Sequence, residues 1–233
     1  MAAMMLLETK GLTKIYGGLR ATDDVDFALA KGQIHALIGP NGAGKSTFVG
    51  MVSGRIPASA GEVWFDGENV TDLPAHIRIQ RGMAYTFQIT AIYARLRLFD
   101  NVALAIGQRE KDVVLEALER VGLADRADQI AGDLAYGHQR LLEIAMGVAQ
   151  KPRLLILDEP TQGLAESEIE GFNALIKELA GDTTILLIEH NMNVVMALAD
   201  EITVLETGAV LARGTPEEIR VNAEVQAAYL GTG

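Results

Sequence analysis

Short, unbroken apolar runs alternate along this chain with helix-length amphipathic stretches, the pattern of an α/β sheet protein. The runs "LLIL" (154–157) and "TILLI" (184–188) lack polar alternation, which suits central parallel strands covered on both faces. Nearer the N-terminus, around 5–16 and 23–38, polar positions interleave, and "VDFALAKGQIHALI" reads as strands with a turn at Lys31 and Gly32. "GEVWFDGENV" predicts a hairpin turning at Asp66 and Gly67. A helix is expected from about Lys45 to Ser53. From about 99 to 150 the period becomes helical, as in "DVVLEALERVGL". A mostly helical lobe at about 89–150 is therefore expected as an insertion between two parts of the sheet. "TPEEI" predicts a late helix capped by Thr215, with Pro216 in its first turn and Glu218 closing a capping box. No repeat or linker interrupts the chain, so residues 1–233 are read as a single domain with two lobes.

Composition narrows this picture only slightly. At 49% hydrophobic residues the chain can bury a full core. Its net charge of −11 argues against a nucleic-acid surface, which needs a basic face. The absence of cysteine removes disulfides and thiolate metal sites and fits an intracellular location. "MAAMMLLETKG" does not read as a signal peptide, and no apolar run reaches the roughly 18 residues that span a bilayer.

The stretch "LIGPNGAGKST" (37–47) changes the picture most. It fits G-x-x-x-x-G-K-[ST] through Gly39, Gly44, Lys45 and Ser46, between an expected strand and an expected helix. Glycines let successive N–H groups turn inward around phosphate oxygens, and the helix N-terminus adds its positive dipole end. Lys45 can reach the β- and γ-phosphates, and Ser46 can offer its hydroxyl to Mg²⁺. A nucleoside triphosphate is the expected ligand. "LLILDEP" (154–160) then ends a strand in paired acids. Asp158 suits the Mg²⁺ shell, and Glu159 can polarise an attacking water. Between these motifs "DLAYGHQRLLEIA" (133–145) opens a helix with a small turn, a candidate anion site in which Ala135 stands where a serine would be best suited.

With these motifs in this order, nearly the whole chain resembles the ATP-binding subunit of an ABC transporter. The resemblance implies a P-loop NTPase fold of the ABC ATPase type. That fold has a RecA-like core sheet, an antiparallel β subdomain and an inserted α-helical subdomain. It implies that Gly39, Pro40, Asn41, Gly42, Ala43, Gly44, Lys45, Ser46 and Thr47 cradle ATP, with Tyr16 of "KIYGG" stacked on adenine. Leu134, Ala135, Tyr136, Gly137 and His138 align without gaps on the family signature, usually LSGGQ, which serves the nucleotide of the opposite subunit. Ser46, Gln88 of "YTFQ" and Asp158 would hold Mg²⁺, while Glu159, His190 of "LLIEHNM" and Gln88 would carry catalysis. "TQGLA" (161–165) occupies the place of the D-loop. The signature variant, the "EH-M" segment and the terminal "AAYLG" look like the branched-chain amino-acid importer subgroup.

The implied partners are a second ATPase subunit (identical or paralogous), two transmembrane permease subunits and, indirectly, an external solute-binding protein; no nucleic acid is implied. The chain would then lie in the cytoplasm, peripheral on the inner face of the membrane. Two alternatives stay open at this point: a soluble ATPase of the same type, for example in iron–sulfur assembly, and a low-turnover nucleotide-binding regulator.

Overall fold

A strand covered on both faces favours apolar side chains at most positions, and β3 (Ile34–Ile38), β7 (Leu154–Asp158) and β8 (Thr184–Ile188) are buried along their whole length, with one polar residue each at His35, Asp158 and Thr184. The computed structural model, which describes residues 4–86 and 91–230, lays them side by side in a six-stranded sheet. The order is β10 (Ala209–Gly214), β9 (Glu201–Glu206), β3, β8, β7 and β6 (Met83–Thr86). All neighbours are parallel except β9 and β10. The two-residue side-chain period sends alternate residues of one strand into different cores. Leu154 and Ile156 of β7 enter one apolar cluster, while Leu155 and Leu157 enter another on the opposite face.

The second sheet is antiparallel, in the order β2 (Leu19–Ala30), β1 (Met5–Tyr16), β4 (Ala60–Phe65) and β5 (Glu68–Asn69). The Asp66–Gly67 turn closes the expected hairpin, with Phe65 paired to Glu68. The Lys31–Gly32 turn does something different. β2 belongs to the four-stranded sheet and β3 to the six-stranded one, so this turn carries the chain from sheet to sheet.

Helix α1 (Lys45–Val52) lies between the sheets. Its Phe48 and Val49 share a cluster with Leu12, Val25 and Phe27 from one side and Leu37, Ile156 and Leu186 from the other. Each such side chain contributes about 1.5–3 kcal/mol on burial, which fixes the helix axis and the place where its N-terminus emerges.

On the opposite face of the six-stranded sheet, α5 (Tyr136–Val148) and α6 (Glu166–Leu179) bury Leu142, Ile144, Phe172 and Ile176 against Leu155 and Leu187. The helical stretch between β6 and β7 also holds α3 (Leu98–Ile106) and α4 (Lys111–Arg120). α2 (Ala75–Gln80) precedes β6, and α7 (Met192–Leu198), α8 (Pro216–Val221) and α9 (Ala223–Leu230) complete the fold. Met192 and Met196 pack, half-buried, on the cluster around Ile38 and Val204. α8 starts with the expected reciprocal cap: the Glu218 N–H donates to Thr215 Oγ1 at 3.3 Å, and the Thr215 N–H to Glu218 Oε2 at 2.8 Å. Among the described residues no helix is long and apolar enough to cross a membrane.

Candidate functional site

The chain from β3 into α1 wraps a cleft of about 340 Å³ lined by residues 41–47, with Leu19, Arg20, Ala21, Glu159 and Thr207 closing its sides. Gly39 and Gly44 are required by their surroundings. A Cβ on Gly39 would lie 2.2 Å from the Leu205 carbonyl oxygen, and one on Gly44 would lie 2.4 Å from that of Ala21. Gly44 caps α1 in a left-handed conformation, no acidic residue occupies the first turn, and Ser46 is exposed there. Free N–H groups and a positive dipole end therefore face the cleft with no carboxylate of the helix to oppose an anion.

Lys45 folds its buried ammonium back, Nζ donating to the carbonyls of Gly39 at 2.6 Å and Pro40 at 3.0 Å. Burial lowers its pKa, while the Glu159 and Asp158 carboxylates act the other way. Pro40 leads into the loop, and Asn41, Gly42, Ala43 and Thr47 line the cleft beside Lys45 and Ser46. Tyr16, half exposed at the end of β1, is outside the lining, with the Lys14 ammonium 5.1 Å from its ring centre.

Asp158 ends β7 and accepts a hydrogen bond from the Tyr85 hydroxyl at Oδ2. Burial pushes its carboxyl above the usual range, and the bond from Tyr85 opposes that push. The Arg55 guanidinium lies 3.8 Å from the Tyr85 ring centre, covering this pair. Glu159 has a φ of 47°, unusual for a side chain with a Cβ, and this strained backbone is held from two sides. Its N–H donates to the Ile188 carbonyl at 2.8 Å. Its own carbonyl accepts from Arg140 Nη2 at 3.3 Å. His190 follows β8, with Nδ1 3.9 Å from Glu159 Oε2. Gln88 lies outside the described residues.

The stretch at 134–138 does not line this cleft. Leu134 is buried, Ala135 caps α5 with extended backbone and no side-chain bond, and Tyr136 is exposed. Gly137 turns toward its own chain: a Cβ there would sit 2.8 Å from Glu168 Oε1 and 3.2 Å from Leu164 Cδ2. The Tyr136 ring packs on the backbone of Gly163. His138 keeps a buried Nδ1 without a hydrogen-bond partner among the described residues.

The ABC transporter family matches residues 22–162, and a second family, the branched-chain amino acid ATP-binding cassette transporter, matches residues 209–233. The chain belongs to the ABC transporter family. It is 38% identical to the high-affinity branched-chain amino acid transport ATP-binding protein BraF of Pseudomonas aeruginosa, over 97% of this chain and 98% of that one. It is 37% identical to LivG, of the same description, from Escherichia coli K12, with the same coverage. The ADP-bound conformation of an ABC transporter cassette superimposes with a TM-score of 0.90 at 26% identity, covering 98% of this chain and 99% of that one.

This ABC ATPase therefore binds and hydrolyses ATP. Within one subunit of it, the phosphate loop, Asp158, Glu159 and His190 come together, and the signature stretch stays apart. Sequence reasoning missed Tyr85 and Arg140. Tyr85 reads as an ordinary strand aromatic and Arg140 as one more polar helix residue; only their hydrogen bonds to Asp158 and Glu159 distinguish them.

Proposed function

We propose that this subunit powers an importer of branched-chain or other hydrophobic amino acids. The observation that carries the solute class is the family match at 209–233, because that segment lies beyond the nucleotide motifs and speaks to the subgroup. The full-length likeness to BraF and LivG supports the same reading over an iron–sulfur assembly ATPase.

ATP occupies the cleft with its phosphates on the N-terminus of α1. Lys45 exchanges its bonds to Gly39 and Pro40 for the β- and γ-phosphates, and Tyr16 stacks on the base. Ser46 and Asp158 offer hard oxygen donors of the kind Mg²⁺ uses when phosphates and water complete its shell, with Gln88 as a third. Among the described residues no cluster of three or more His, Cys, Asp or Glu forms a metal cage of its own, which fits an ion bound through the nucleotide. When bound, Mg²⁺ neutralises charge developing on the phosphates. Glu159 takes the proton of the attacking water, and His190 contacts the γ-phosphate. Residues 134–138 complete the site of a second ATPase subunit, and the pair drives two permease subunits at the inner face of the membrane, fed by an external binding protein.

The test of the transport reading is co-purification. The chain should come out of membranes with permease subunits, and its turnover should rise when a leucine-loaded binding protein is added. A chain recovered only with soluble partners would overturn it. For the site, Glu159→Gln should keep ATP binding and lower turnover by about a hundredfold or more, trapping a closed dimer. Turnover within about threefold of wild type would remove Glu159 as the base.

A further inference from the structure

Glu189 has no part in the chemistry just assigned, yet it is wholly buried between the two loops that carry it. Its Oε1 accepts from the Thr161 N–H at 3.0 Å and from the Thr161 hydroxyl. Its Oε2 accepts from the N–H groups of His190 at 2.9 Å and Asn191 at 3.0 Å. Three of these four partners are backbone N–H groups, on both sides of the carboxylate, and these can only donate. Only a carboxylate offers acceptors on both oxygens at once, so the pocket is matched to Glu and not to an amide.

The consequences fall on neighbouring residues. Thr161 follows Glu159 and Pro160 at the end of β7, whereas His190 and Asn191 open the loop after β8. The His190 side chain is 56% exposed, so packing alone does not fix it and its place is set by its backbone. That backbone hangs on Glu189. The imidazole Nδ1 is 3.9 Å from Glu159 Oε2 and 3.9 Å from Glu189 Oε2, a position between the assigned base and the buried carboxylate. The strained Glu159 is held from the same place, since its N–H bonds Ile188, the residue before Glu189.

We propose that Glu189 is a positioning residue. Its carboxylate locks the loop after β7 to the loop after β8, so that Glu159 and His190 keep one mutual geometry. This rests on reading those two residues as the hydrolytic pair. Residues 161–165 continue from Thr161 into α6, so the lock also fixes where that exposed loop begins.

Glu189→Gln tests it in the assembled transporter. An amide presents one acceptor and one donor, so whichever way it turns, at least one backbone N–H, that of Thr161 or those of His190 and Asn191, loses its acceptor. The expected result is a fall in kcat of about tenfold or more with the KM for ATP changed by no more than about twofold. Amide hydrogen exchange should accelerate at Thr161 or at His190 and Asn191. Glu189→Asp, which keeps both oxygens on a shorter arm, should recover part of kcat. Should Glu189→Gln fail to fold, Thr161→Val removes only the hydroxyl donor at nearly constant shape. It should lower kcat by about threefold at unchanged KM and speed exchange at His190. Wild-type kcat and unchanged exchange in either folded variant, alongside an impaired His190→Ala, would overturn the lock. Normal turnover in His190→Ala and Glu159→Gln would instead overturn the reading beneath it.

Discussion

Two helix N-termini in this protein are candidates to hold phosphate, and they are built in opposite ways. At α1 the chain surrounds its own site: Ala21 and Leu205 press on the loop, Thr207 and Glu159 wall the cleft, and the Lys45 ammonium waits on two carbonyls. At α5 the turn is held only from behind. Leu134 is buried, the Gln139 side-chain amide donates to the Leu134 carbonyl at 3.0 Å, and Gly137 packs on Glu168, while Ala135 and Tyr136 stay exposed. On the function proposed above, the first is a complete site and the second half of one, so the subunit binds nucleotide alone and hydrolysis belongs to the dimer.

The largest break in this contrast should come from Lys45→Ala. The cleft would lose the Lys45 ammonium poised beside its phosphate loop, and charge-assisted bonds of about 1.5–3 kcal/mol each make a hundredfold loss of ATP affinity the expected scale. Titration of the isolated subunit measures it, and affinity within about threefold of wild type would show that the cleft is not the site.

The glycines sharpen the same point with a smaller effect. Gly39→Ala drives a Cβ into the Leu205 carbonyl, so the loop must move and ATP binding should fall together with thermal stability. Gly42 has a left-handed φ of 81° but open space around its missing Cβ. Gly42→Ala should therefore cost only the backbone preference, about 1–2 kcal/mol, and leave a measurable ATP affinity. Equal losses in the two variants would mean that the loop is shaped by ligand and not by its walls.

How much of this was legible in the sequence follows the same division. The phosphate loop, the buried strands and the Asp158–Glu159 pair announce themselves because local chemistry dictates them: glycine spacing at 39 and 44, unbroken apolar runs at 154–157 and 184–188. The parts that escaped depend on distant contacts. Nothing in "AYT" marks Tyr85 as the partner of Asp158, and nothing in "IEH" marks Glu189 as the acceptor for Thr161. The turn at Lys31 and Gly32 was visible, but not that its strands part into different sheets, because sheet membership is decided by tertiary packing. Gly137 was legible as a position for a small residue. The structure adds a second reason beside the close approach of a phosphate: a Cβ there would sit 2.8 Å from Glu168 Oε1 of the same chain.

That reason yields a discriminating variant at the signature. Gly137→Ala should leave ATP binding to the subunit's own cleft intact, because the stretch does not line it. It should push aside Glu168, whose other oxygen accepts from the Ala165 N–H at 2.8 Å and so starts α6. Turnover of the assembled complex should fall about tenfold. Adding Glu168→Ala removes the obstructing carboxylate and should restore part of that turnover. If the double variant stays as slow as Gly137→Ala alone, the small residue serves the nucleotide of the opposite subunit directly.

The smallest effect is expected at Ala135. It caps α5 with extended backbone but no side-chain acceptor, so the N–H groups of Gly137 and His138 are left to whatever anion approaches. Ala135→Ser introduces a hydroxyl that can accept from one of those N–H groups, a capping gain of about 0.5–1 kcal/mol readable as a modest rise in melting temperature. The same hydroxyl can donate its own proton to a γ-phosphate, since one O–H donor and two lone pairs coexist on it. Capping withdraws one backbone donor from the anion while the hydroxyl supplies a new one, and the two effects on the phosphate nearly cancel. Turnover of the complex should therefore stay within about twofold of wild type while stability rises. A rise in turnover of about tenfold would mean that the missing hydroxyl limits this enzyme and that backbone donors alone do not make the site.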